Sequence, residues 1–167
     1  MIEEEIFKAK TLHKRYGEAM LKNHGLFELM EKYRKAIETS YELMKEMGII
    51  TTCTVCAKNH KAGSCCFQGV EEWYDHILLL INFLLGIHVA DSCKVIKGCL
   101  FVGNRGCTLL ARHAFCINYL CPALNSFLTN SQKDKLWAVT GDELYSGWEV
   151  EKAIRHWIRE DGNQDHS

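Results

Sequence analysis

All nine cysteines of this 167-residue chain fall between residues 53 and 121, with none in the first 52 positions and none in the last 46. Four of them crowd with one histidine into CTVCAKNHKAGSCC at 53–66. An odd count leaves at least one thiol unpaired, and the N-terminal MIEEEIFKAK lacks the basic start and apolar run of a secretory signal. The expectation is a cytoplasmic protein, in which thiols stay reduced and clustered cysteines hold a metal or cluster rather than disulfides.

A chain of this length can bury one core without a metal staple, so a single domain over 1–167 is expected. Lys and Arg total 20 against 21 Asp and Glu, and no stretch is basic enough for a nucleic-acid surface. The most apolar run, ILLLINFLLGIHVA at 77–90, is interrupted by Asn82, Gly86 and His88 and is shorter than the roughly 20 residues that span a bilayer. It reads as a buried helix, with no membrane and no nucleic acid among the expected partners.

The flanks of the cysteine-rich stretch are helical in pattern. Ile6, Ala9, Leu12, Tyr16 and Met20 step by three and four, then Phe27, Met30, Tyr33, Ile37, Tyr41, Met44 and Met47 do the same, which predicts a helical hairpin over 1–50. KNHG at 22–25 supplies the break through Asn and Gly, which tolerate a left-handed backbone, and Gly48 ends the second helix. Glu28 with Lys32, and Glu31 with Lys35, are spaced for solvated pairs on the outer face. Such a hairpin serves as core or as the interface of a homo-oligomer or redox partner protein.

Val70, Trp73, Ile77, Ile81 and Leu84 predict a central third helix with Glu71, Glu72 and Asp75 near its start, where the helix dipole favours carboxylates. Short apolar runs around GNRG at 103–106 predict a small hairpin with Cys99 and Cys107 on its arms. Beyond Pro122 the pattern is again helical: SQKDKLWAV opens on Ser131 as a cap, and Val150, Ile154, Trp157 and Ile158 share one side. The predicted fold is mainly α, with a cysteine-rich module over 51–122 that contains a short hairpin, and C-terminal helices over 123–167.

Cys53 and Cys56 form a C-x2-C pair, a spacing that lets two thiolates face one metal while backbone amides point at the sulfurs. Cys65 and Cys66 are adjacent, so the two point in different directions and one can be a ligand while the other packs. Cys99, Cys107, Cys116 and Cys121 complete a set of eight candidate ligands, whereas Cys93 stands apart and reads as a small core residue. His60 and His113 are candidate additional ligands by spacing. No paired carboxylates, phosphate loop or nucleophile elbow accompanies them, so whether the chain is an enzyme is left open.

The run GCLFVGNRGCTLLARHAFCINYLC at 98–121, with the C-x2-C and Cys-Cys of 53–66, resembles the zinc- or iron-chelating cysteine-cluster family called YkgJ-type, over residues 53–122. The resemblance implies that Cys53, Cys56, Cys65, Cys66, Cys99, Cys107, Cys116 and Cys121 bind metal or cluster. Four-thiolate zinc and an oxidised four-thiolate [4Fe-4S] cluster carry similar net charge, and Lys58, Lys61, Lys94, Lys97, Arg105 and Arg112 could offset either. Zinc knuckles bring two C-x2-C pairs to one ion, and only one is present. The expectation is one [4Fe-4S] cluster, with room in the ligand set for two, in electron transfer or as a redox subunit. The alternative is a structural zinc module with no redox role.

Overall fold

The structure, a computed structural model, describes residues 1–59, 65–91 and 98–161. It is mainly helical, with one two-stranded sheet. Helices α1 (Ile2–Lys22) and α2 (His24–Glu46) form the expected N-terminal hairpin, and Glu3, Glu4 and Glu5 in the first turn of α1 complement the positive end of the helix dipole. The break between them has a different chemistry from the one predicted. Asn23 is extended (φ −72°, ψ 113°) rather than left-handed, and its Oδ1 accepts from Leu26 N at 3.0 Å, so the residue that stops α1 caps α2. Gly48 ends α2 as expected, with a left-handed φ of 74°.

On α2 the buried stripe is Leu26, Met30, Tyr33, Ile37, Leu43 and Met44, while Phe27 and Tyr41, assigned to it by periodicity, are exposed. The outer-face pairing also differs. Lys32 reaches Glu149, far along the chain, at 2.6 Å rather than Glu28, which faces His24. A helix α3 (Ile49–Asn59) follows directly and carries the C-x2-C pair.

The central apolar segment is not one helix from Val70 onward. Val70–Trp73 form a 3-10 turn, Tyr74 is extended, and α4 (His76–Leu84) starts anew from Asp75, whose carboxylate accepts from Ile77 N at 3.1 Å and Leu78 N at 2.9 Å. Within α4 all residues from Ile77 to Asn82 are buried, as a helix enclosed on every side requires. Each such Leu or Ile stabilises by roughly 1.5–3 kcal/mol on burial, and α4 is the axis of the larger core.

The hairpin forms as predicted: β1 (Val102–Gly103) pairs antiparallel with β2 (Gly106–Cys107) across Asn104 and Arg105, with Gly106 at φ 109°. Two short helices, α5 (Ala114–Asn118) and α6 (Pro122–Phe127), lead to the 32-residue α7 (Asn130–Asp161). Ser131 is not its cap. Thr129 Oγ1 accepts from Gln132 N at 3.2 Å while Gln132 Oε1 accepts from Thr129 N at 2.9 Å, a reciprocal capping box that starts two residues earlier. Helix α7 packs on α2, and α1 on α4. A second, smaller apolar cluster of Leu43, Met44, Ile49, Leu124, Leu128 and Leu136 lies beyond the main core, where α2, α3, α6 and α7 meet.

Candidate metal or cluster centre

A cavity of about 360 Å³ lies at the junction of the two apolar clusters. Of the eight candidate ligands, Cys53, Cys56, Cys65, Cys66, Cys107, Cys116 and Cys121 line it, while Cys99 does not. The thiols come from four places in the chain. Cys53 and Cys56 lie on one face of α3, three residues apart, rather than in a loop whose amides turn toward the sulfurs. Thr54 Oγ1 donates to Ile50 O at 2.9 Å within the helix and lies 3.2 Å from Arg105 O in the hairpin turn, which brings α3 against Cys107.

Cys65 and Cys66 enter beside the hairpin: Cys99 N donates to Cys66 O at 2.9 Å, and Phe67 bridges to Gly98. Cys99 itself turns into the main core, 6% exposed, and behaves as the small apolar residue that the sequence assigned to Cys93. Cys93 and His60 lie outside the described residues. Cys121 precedes Pro122, the first residue of α6, and its carbonyl accepts from Asn125 N at 2.8 Å.

The strap between Cys107 and Cys116 is held by two side chains that carry no ligand chemistry. Asn82, the polar interruption of the apolar run, is completely buried and saturated. Its Nδ2 donates to Leu78 O at 3.0 Å and Ala111 O at 2.9 Å, and its Oδ1 accepts from Leu110 N at 3.0 Å and Ala111 N at 3.1 Å. Tyr74 Oη accepts from His113 N at 3.0 Å and lies 3.9 Å from Cys116 Sγ. His113 caps α5, with Nδ1 accepting from Phe115 N at 3.2 Å, and its ring leans on Trp73 and Tyr74. It is not among the residues that line the cavity. Asn82 could have been found from sequence, because a polar residue inside a buried helix must have its hydrogen bonds met.

Arg112 is the half-buried cation of the wall. Among the described residues its guanidinium makes one hydrogen bond, to Met44 Sδ at 3.8 Å, a weak acceptor. Burial works against its charge, but Glu143 and then Cys107 outweigh it and keep it protonated. Cys107 is exposed in area yet closely surrounded by protein; the surface it shows is cavity wall.

Most of these thiols are held protonated. Burial, reinforced by a charge on Cys65, pushes Cys53 up to about 12, and burial pushes Cys116 up to about 11. Cys107 rises for the same reason, opposed by Arg112. The adjacent pair, with sulfurs 4.0 Å apart, divides one proton: the hydrogen bond with Cys66 brings Cys65 down to about 7, and Cys66 is raised in return. A cation entering this cavity therefore displaces protons, so its binding strengthens as pH rises.

The donor set suits a thiolate-held centre: many sulfurs, a half-buried guanidinium to offset negative charge, and apolar walls that limit water. Among the described residues, however, no three ligand-type side chains are close enough to share a single metal ion. The sulfurs surround a volume rather than converge on a point. No family model, no curated protein and no solved structure matches this chain, so the reading of the site rests on its own geometry. No helix among the described residues is long and apolar enough to cross a membrane.

Proposed function

We propose that the cavity holds an iron-sulfur cluster, [4Fe-4S] in type, through four of its seven thiols, and that the protein carries electrons or serves as the redox subunit of a larger assembly. The observation that carries this reading is the gathering of seven cysteines, from segments up to 68 residues apart in sequence (121 − 53), onto one cavity beside Arg112. Sulfurs spread around a volume suit a multi-atom cluster better than one tetrahedral ion. A bound cluster supplies one-electron chemistry.

The chain's own residues set the conditions for that chemistry. Cys53, Cys107 and Cys116 give up their protons and bind as thiolates, Arg112 offsets the resulting charge, and Asn82 and Tyr74 fix the strap that presents Arg112 and Cys116. The apolar walls from Ile37, Met44, Leu124 and Leu136 keep the dielectric low, which strengthens every charge interaction inside.

Metal and acid-labile sulfide analysis of anaerobically prepared protein tests the reading. The expected protein is brown, contains iron and sulfide, and is reducible by one electron. Cys116→Ser and Cys107→Ser should lose most of that iron and sulfide, whereas Cys99→Ser, outside the cavity, should keep it. Colourless protein with stoichiometric zinc and no sulfide would overturn the cluster and leave the structural zinc module in its place.

A further inference from the structure

Glu143 is completely buried on α7, and its two carboxylate oxygens are the buried side-chain polar atoms, among the described residues, that lack any hydrogen-bond partner. A carboxylate in that state is strongly disfavoured relative to water unless something compensates it. Seven residues from Leu136, it lies two turns along α7 on the face that reaches the cavity. From α2 it meets Ser40 and Tyr33. Ser40 lies beside the carboxylate, but its hydroxyl is directed to Val139 O at 3.5 Å, and Tyr33 is raised by burial and then by the Glu143 charge. Thr140 and Ser146 flank it on α7 itself, and the Thr140 hydroxyl donates to Leu136 O. From the strap comes Arg112, the charged group that acts on it; Cys107 on β2, then Tyr74, then Cys116 on α5, act in turn on Arg112. Burial favours the protonated carboxyl and Arg112, which lines the cavity, favours the carboxylate, so the charge of one guanidinium acts on the buried acid and on the thiols alike.

We propose that Glu143 is the proton site of a proton-coupled electron carrier: when the thiol-lined centre gains one electron, Glu143 takes up one proton. This rests on the cluster reading above. Added negative charge in the cavity draws on the same Arg112 that compensates Glu143, so the carboxylate becomes less compensated and its proton affinity rises. The step balances as follows. Oxidised, loaded protein with Glu143 ionised, plus one electron from a one-electron donor such as a reduced viologen and one proton from water, gives reduced protein with Glu143 as the neutral acid. The O–H of Glu143 is the bond formed, and no bond in the chain breaks.

The test is a spectropotentiometric titration of the cluster-loaded protein over about pH 5 to 9, with infrared difference spectra of reduced minus oxidised protein. Between the pKa values of the two redox states the potential should fall by about 59 mV per pH unit, a tenfold change per unit for one electron, and flatten outside that window. A carboxylic C=O band should appear on reduction and shift in D2O. Glu143→Gln should keep its iron and sulfide, lose the band and give a flat profile. A flat wild-type profile, absence of the band, or an unchanged slope in Glu143→Gln overturns the proposal; if that variant does not fold, the wild-type profile and band still decide. Sulfide-free protein overturns the cluster reading and this proposal together, whereas loaded protein with a pH-independent potential overturns this one alone.

Discussion

Asn82 shows how much one side chain can hold. Of the four hydrogen bonds made by this single buried amide, three join α4 to the backbone of Leu110 and Ala111, the two residues before Arg112. Replacement by leucine keeps the volume and strands two buried N–H groups and one carbonyl, each worth roughly 1–3 kcal/mol when unsatisfied. Asn82→Leu should therefore lower the free energy of unfolding by about 3 kcal/mol or more, measured by urea denaturation, and, under the proposed cluster reading, reduce the iron retained as the strap loosens. A loss below about 1 kcal/mol would mean that the strap is held by other contacts. The same accounting separates Cys99 from the other seven ligand candidates: spacing gave it equal standing, yet its side chain belongs to the core.

At the scale of the element, α7 carries two glycines with opposite expectations. Gly141 has open space around it, so Gly141→Ala should stabilise by roughly 0.5–1 kcal/mol through helix propensity alone. At Gly147 a Cβ would stand 3.0 Å from Cζ of Tyr33, a ring only 2% exposed and unable to move aside. Gly147→Ala should lower the melting temperature despite the same propensity gain, because the α2–α7 crossing has no room for a methyl group. Melting curves for the pair decide the matter, and stabilisation by both would show that α2 and α7 sit further apart. Much of this helix was legible: Leu136, Thr140, Glu143, Gly147, Val150 and Ile154 are all buried and step by three and four. Extended back from Val150 and Ile154, that stripe places a glutamate on the apolar face, the signal by which Glu143 could have been found.

For the molecule as a whole, the chain start is tied to the central helix by Glu5, whose Oε2 accepts from His76 N at 2.8 Å and lies 2.7 Å from His76 Nδ1. The His76 hydrogen bond holds the Glu5 carboxyl down at about 2, against an ordinary value of 4.5. A depressed carboxyl contributes stability that is complete above the ordinary value and fades as pH falls toward the folded one. Wild type should thus melt above Glu5→Gln at about pH 6, with the gap narrowing below about pH 4.5 and closing near pH 2. A gap that did not change with acid would assign the effect to packing. Tyr16 against Trp157, edge to face at 5.3 Å, makes a second tie, from α1 to α7, and both of these helices pack on α4.

The sequence by itself determined whatever depends on near neighbours. The helical stripes, the stop at Gly48, the two-residue turn of the hairpin and the crowding of thiols into one stretch all follow from periodicity, backbone freedom and spacing within a few residues. The tertiary structure decided which of those thiols share a cavity, that C-x2-C sits on a helix, that Asp75 rather than Val70 opens α4, and that Lys32 pairs with Glu149, 117 positions away. Such pairings are set by how helices cross and what space they leave, which no local pattern encodes. Arg112 and Glu143 act on each other for that reason: two charges from distant segments enter one low-dielectric region, where each changes what the other costs.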